Sequence, residues 1–261
     1  ERSRGLGDVY KRQVNMISFN KNQLFVVTGA SSGIGKGIAL LLNELGATVV
    51  GIGRSTMRLQ ELKDVCMFPD NMYVEIKDLS ENISDLPIYV KSLKESYGKF
   101  HGLVCAAGIT DISPLQLIEY DKVKMLYDIN YFSPLMMVKG IADKRNNIGK
   151  GTSIVCISSM AAYVSMRGMA VYSGAKSALS ASMKSISREV APYGIRVNCV
   201  SPADILTPMT LSLGEITESK KKLYPMGFGE VEDVANFVAF LLSDKAKWLT
   251  GNDYHIDGGS F

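Results

Sequence analysis

Gln23-Leu24-Phe25-Val26-Val27-Thr28-Gly29-Ala30-Ser31-Ser32-Gly33-Ile34-Gly35 is the stretch on which the fold turns. Its opening run is apolar almost without alternation, which is how a strand reads when both faces are covered. Three glycines follow within seven residues, and Lys36–Leu45 then runs at helical spacing. The same grammar recurs along the chain. Further apolar runs lie at Thr48–Gly53, Met72–Ile76, Gly102–Ala106, Thr152–Ser158, Arg196–Ser201 and Asp253–Ile256. Helix-like segments lie near 35–45, 55–65, 87–97, 115–141, 172–191 and 230–243. Seven strands alternating with helices predict an α/β fold, a doubly wound parallel sheet with helices on both faces.

No repeat, linker or low-complexity tract divides the chain, so 16–261 reads as one domain. Residues 1–15 read as a non-native leader, with Met16 as the natural start. Segment 204–229 is the expected mobile lid, because Gly214, Pro225, Gly227 and Gly229 interrupt weak helix signals there.

Composition narrows the function classes. Apolar residues make up 46% and charged residues 21% of the chain, an ordinary globular balance. Of the net charge of +3, the first fifteen residues carry +2, so the remainder offers no electrostatic reason to expect nucleic acid or an acidic membrane as partner. No run reaches membrane-spanning length. Cys66, Cys105, Cys156 and Cys199 form no CxxC pair and read as buried free thiols in a reducing, cytoplasmic setting, with no metal site.

Glycines between a strand and a helix let the backbone approach a pyrophosphate, while the helix N-terminus offers free amides and a positive dipole end. A Walker-type loop requires Ser or Thr after Gly35-Lys36, and Gly37 stands there. Gly29-Ala30-Ser31-Ser32-Gly33 also fits the hydrolase elbow G-x-S-x-G, with His255 downstream, but leaves Gly35 without a role. At the end of the second run, Gly51-Ile52-Gly53-Arg54-Ser55, an arginine stands where an acidic residue would bind the ribose of NAD. Arg54 suits a 2′-phosphate, which places NADP(H) ahead of NAD(H). Asp78, past the third run, is positioned for the adenine amino group or for capping its own turn.

Tyr172 and Lys176 stand four apart and so share one helix face. A phenol with a pKa of about 10 needs a nearby cation to work at neutral pH. The YxxxK pattern is weak alone, since Tyr73–Lys77 and Tyr120–Lys124 match it too. Only Tyr172 follows, by thirteen residues, a serine that ends a strand run. That residue, Ser159, would face the crevice at the sheet's carboxyl edge and steady a substrate oxygen.

Together TGASSGIG (28–35), Asp78-Leu79, CAAG (105–108), Asn130, ISS (157–159), YSGAK (172–176), NCVSPADILT (198–207) and IDGG (256–259) resemble the short-chain dehydrogenase/reductase family across nearly all of 16–261. The resemblance implies a Rossmann-type sheet and hydride transfer between NADP(H) and a carbonyl or secondary alcohol. It implies Ser159, Tyr172, Lys176 and Asn130 as the catalytic set, Asn130 holding a water that links Lys176 to solvent. It implies that Gly29, Ser31, Ser32, Gly33, Ile34, Gly35, Arg54, Ser55, Asp78, Leu79, Ala107, Gly108, Pro202, Ile205 and Thr207 bind the cofactor with Tyr172 and Lys176.

Two departures stand out. Ala106 replaces an asparagine, and Ala203 replaces the glycine after Pro202, so a shifted nicotinamide contact with retained activity is expected. Substrate readings are a 3-oxoacyl thioester, free or carrier-linked, a sugar or polyol, or a steroid-type ketone. A non-catalytic NADP(H) sensor is the rival of another class. The basic positions of carrier-dependent relatives correspond to Lys150, which fits, and Tyr193, which does not. Apolar faces on 115–141 and 172–191 predict a homodimer or homotetramer.

Overall fold

The computed structural model describes residues 17–164, 166–212, 217 and 222–260. The leader, Met16, and Leu213 and Gly214 of the expected lid lie outside the described residues. Seven strands form one parallel sheet: β1 (Leu24–Thr28), β2 (Thr48–Gly53), β3 (Met72–Ile76), β4 (Gly102–Cys105), β5 (Ser153–Ile157), β6 (Arg196–Pro202) and β7 (Asp253–Ile256). Their spatial order is β3-β2-β1-β4-β5-β6-β7. Every pair is parallel, from β2–β3 at one end to β6–β7 at the other. Each strand therefore needs a crossover, and each connection that holds a helix places it on one of the two faces.

On one face α1 (Gly33–Glu44) and α8 (Val231–Leu242) bury Ile38, Leu42, Val234 and Val238 against Val27 and Val155. On the other, α3 (Leu86–Tyr97), α5 (Ser133–Ala142) and α6 (Ala170–Val190) bury Val90, Leu93, Met137, Ile141, Leu179 and Met183 against Val26, Leu103 and Ile154. Burying a strand on both faces is what the unbroken apolar runs required. The order reverses beside β1, which pairs with β2 on one side and β4 on the other. A crevice opens there at the carboxyl edge, where such sheets bind ligands.

One expectation is revised. The helix predicted over 115–141 is not continuous: Leu115–Leu117 is an isolated turn, α4 spans Tyr120–Tyr127, and a π turn, Asp128–Phe132, precedes α5. Pro134 in the first turn of α5 lacks an amide, so the hydrogen-bond ladder must be re-phased ahead of it. Segment 204–229 is fastened at its base, where Ile205 bridges Gly229. Leu206 N donates to Gly229 O at 2.9 Å and Gly229 N donates to Asp204 O at 3.2 Å. Within it a short helix, α7 (Pro208–Ser212), is held by Thr210 Oγ1 donating to Ile205 O at 2.6 Å.

All four cysteines are free and buried, as expected. Cys105, Cys156 and Cys199 lie in register across β4, β5 and β6.

Candidate active site

A cleft of about 600 Å³ lies over the carboxyl ends of the central strands. One wall is backbone. Gly29 has φ +70°, and a Cβ there would fall 2.8 Å from Ala107 N. A Cβ on Gly35 would overlap the Gly29 carbonyl, so α1 packs against the turn only because both residues are glycine. Ser32, the N-cap of α1, makes no side-chain capping bond, and the first turn of the helix holds no acidic residue. The amides of that turn and the positive helix end are thus available to an anion, and the cradle fits a pyrophosphate. Thr207 closes over it; a Cβ on Gly33 would meet the Thr207 methyl at 3.5 Å.

Most residues singled out from the sequence line this cleft, namely Gly29, Ser31 to Gly35, Arg54, Leu79, Ala107, Gly108, Asn130, Ser159, Tyr172, Lys176, Pro202, Ile205 and Thr207. Ser55 and Asp78 stand outside the wall. Ser55 Oγ accepts from Arg58 N at 3.3 Å, capping α2 (Thr56–Val65). Asp78 Oδ1 accepts from both Ser80 N and Ser80 Oγ, while its other oxygen lies 3.6 Å from the Arg54 guanidinium. Those bonds and Arg54 hold its carboxyl below the usual aspartate value despite the opposing effect of burial, the largest single influence. Ala106 and Ala107 both give their amides to Thr28 Oγ1 at 3.1 Å, which ties β4 to β1 at the switch point.

The opposite wall carries the titratable groups. Ser159 leaves β5 and accepts from Ala161 N at 3.1 Å, starting a single turn, Met160–Ala162. Its hydroxyl stands beside the phenol of Tyr172, on the first turn of α6. Burial drives the Tyr172 phenol above its ordinary value, the Ser159 hydrogen bond offsets part of that rise, and Asp204 adds to it. Lys176 Nζ lies 5.8 Å from the centre of the Tyr172 ring and donates to Ile157 O at 2.9 Å. The expected lowering of the Tyr172 pKa by Lys176 is therefore absent here, because desolvation dominates and the ammonium is turned to a carbonyl. Burial in turn lowers the Lys176 pKa to about 8.

Asn130 sits fully buried in the π turn. Its Nδ2 donates to Ile109 O and Leu126 O, and its Oδ1 accepts from Ile109 N at 3.3 Å. A Cβ on Gly108 would lie 2.8 Å from Asn130 Oδ1 and 3.6 Å from Lys176 Nζ, so the three converge. These bonds make the Asn130 side chain a bridge between the Leu126 carbonyl and the Ile109 backbone.

Sequence reasoning missed several wall residues. Lys77, at the end of β3, lines the adenosine side near Arg54. Its place directly before Asp78 was a usable signal. Thr110 lines the cleft with a buried hydroxyl that has no partner among the described residues. Ile109, Ile112, Met160 and Val164 join Met166, Met169 and Tyr224 in an apolar flank. Lys150 packs against Gly194, next to Tyr193, just before β5 begins and at the end of that strand opposite Ser159. Among the described residues no group of three His, Cys, Asp or Glu could hold a metal ion, and no helix is long and apolar enough to cross a membrane.

A family model described as enoyl-(acyl carrier protein) reductase matches residues 29–260. The chain belongs to the short-chain dehydrogenase/reductase family. It is 37% identical to a 3-oxoacyl-(acyl-carrier-protein) reductase of Rickettsia felis over 90% of this chain and 95% of that protein. It is 31% identical to a D-erythrulose reductase of Gallus gallus, over 90% and 94% respectively. A short-chain dehydrogenase of Burkholderia cenocepacia solved in complex with NADP superposes with a TM-score of 0.85 at 28% identity, covering 92% of this chain and 98% of that one. As a member of the family the chain is an oxidoreductase acting between CH–OH and C=O with a nicotinamide cofactor.

Proposed function

We propose that this short-chain dehydrogenase/reductase is an NADP(H)-dependent reductase of apolar carbonyl compounds, with 3-oxoacyl thioesters as the first candidates, and that Tyr172 is its proton donor. The observation carrying this reading is the meeting of the Tyr172 phenol, the Ser159 hydroxyl and the Lys176 ammonium on one wall, facing a backbone cradle on the other. A dinucleotide with its pyrophosphate held in that cradle would supply the hydride from its nicotinamide. Tyr172 gives its proton to the carbonyl oxygen, and Ser159 donates a hydrogen bond to the same oxygen as charge develops. Lys176, with donors beyond the one spent on Ile157 O, would hold the ribose hydroxyls and, once turned to the phenolate, stabilise it. Asn130 helps by fixing the 106–109 segment against Lys176.

Arg54 at the rim, with Lys77 beside the same adenosine side, supports a 2′-phosphate. The NADP in the Burkholderia relative points the same way, and the name of the Rickettsia relative points to a 3-oxoacyl substrate. The Ile, Met and Val flank supports an apolar acyl chain over a sugar. A carrier protein would not be met at Lys150 and Tyr193 of the same copy, since those positions lie at the start of β5, at the end of the strand away from the cleft.

The test is loss of NADPH absorbance with a panel of apolar ketones, 3-oxoacyl thioesters on a small thiol and on a carrier, and ketoses. Turnover of the apolar members is expected. An Arg54→Ala variant is expected to raise the KM for NADPH by about tenfold while leaving that for NADH unchanged. A chain that binds NADPH yet turns over nothing would be a sensor instead.

A further inference from the structure

Outside the catalytic wall, one carboxylate joins two segments that the chemistry needs and touches neither substrate nor cofactor. Asp253 opens β7, the last strand of the sheet. Its Oδ2 accepts from the Tyr163 hydroxyl at 2.8 Å, and its Oδ1 accepts from Ser201 Oγ at 2.7 Å. Tyr163 ends the turn that Ser159 begins: Tyr163 N donates to Met160 O at 2.9 Å, and Ser177 Oγ of α6 holds Ala162 O at 2.9 Å. The Tyr163 ring packs 4.4 Å from His255, two residues along β7. Ser201 is fully buried and directly precedes Pro202, where the segment leading to Ile205 and Thr207 departs.

We infer that Asp253 is a positioning residue with two arms, one through Tyr163 that sets the Ser159 turn and one through Ser201 that sets the Pro202–Thr207 segment on the cofactor side. The inference rests on the catalytic reading above, since it assigns those two segments their separate tasks. Several observations favour it over a bond that merely stabilises the edge. Each oxygen goes to a different segment, and each segment contributes cleft residues: Ser159, Met160, Ala161 and Val164 from one, Pro202, Ile205 and Thr207 from the other. The donor on the first arm is durable. Burial first, and the bond to Asp253 second, push the Tyr163 phenol up to about 12, so it remains a donor throughout the physiological range. A small displacement of a group that must meet the substrate oxygen costs rate far more than it costs stability.

Three conservative variants separate the arms. Tyr163→Phe is expected to lower kcat roughly tenfold to a hundredfold with the Kd for NADPH unchanged. Ser201→Ala should weaken NADPH binding several-fold with a smaller change in kcat. Asp253→Asn should do both. Placed in a Ser159→Ala background, Tyr163→Phe should lose most of its effect on kcat, because the arm acts through that hydroxyl. Normal kcat in Tyr163→Phe together with normal NADPH affinity in Ser201→Ala would overturn the inference, even if all three melt earlier. If Asp253→Asn fails to fold, the two single-arm variants decide alone. Should the wild type prove to be a non-catalytic binder, the catalytic reading fails by itself. The Tyr163 arm is then read from hydrogen exchange at 159–164 in the NADPH complex, expected to quicken in Tyr163→Phe and not in Ser201→Ala; unchanged exchange there would overturn it too.

Discussion

At the scale of single residues, the pair on α6 presents a conflict between stability and chemistry. Lys176 is buried with its pKa brought down to about 8 from an ordinary 10.5, so folding disfavours its charged form. Unfolded chains bind more protons than folded ones between those values, and stability therefore rises with pH through that window. The penalty is fully present below about pH 8 and fades towards 10.5. Lys176→Met is expected to melt higher than the wild type at pH 7, by an amount on the order of 3 kcal/mol, with the gap narrowing as pH is raised to 10. Thermal melts across that range check the sign, and a constant gap would refute it. Tyr172→Phe should cut kcat at least a hundredfold while NADPH still binds, measured by turnover and by cofactor titration. Tyr172, Lys176 and Ser159 could be singled out from the sequence because three constraints had to agree at once: helical spacing, a strand end, and a separation of thirteen positions. The direction in which Lys176 points was not legible. It depends on Ile157 O, a backbone group whose place only the folded chain defines.

Elements were read well wherever burial on two faces dictated the pattern, and all seven strands fall where apolar runs predicted them. The long helix over 115–141 was misread because its apolar residues keep helical spacing across both α4 and α5, and spacing does not register a change of phase. Pro134 and the π turn break the ladder while preserving the stripe. The base of 204–229 was equally hidden, since its glycines read as freedom although Gly229 is spent on the bridge to Ile205. Close packing of α1 on β1 is the element-scale feature most open to test. Gly35→Ala would drive a methyl into the Gly29 carbonyl, so a loss of about 1–3 kcal/mol is expected from chemical denaturation, together with weaker NADPH binding. Stability and affinity both unchanged would show that the turn can relax, and the cradle argument would lose its support.

At the scale of the molecule, Leu115, Leu117, Tyr120, Met125 and Phe132 are exposed around α4 and the π turn, apolar side chains that a second copy would cover. A dimer or tetramer by light scattering is the expected outcome, and a monomer at micromolar concentration would contradict it. One further consequence comes from the four sheltered thiols. Burial keeps the Cys66 and Cys199 thiols protonated, and contact with the sealed Cys105 together with burial does the same for Cys156. A folded molecule should therefore ignore an alkylating reagent, and each label taken up should mark an opening event. Labelling then becomes a gauge of ligand affinity that needs no turnover. Saturating a bound nucleotide at a hundred times its Kd would slow the uptake by about a hundredfold, and the ratio between NADPH and NADH would report which one the closed fold prefers.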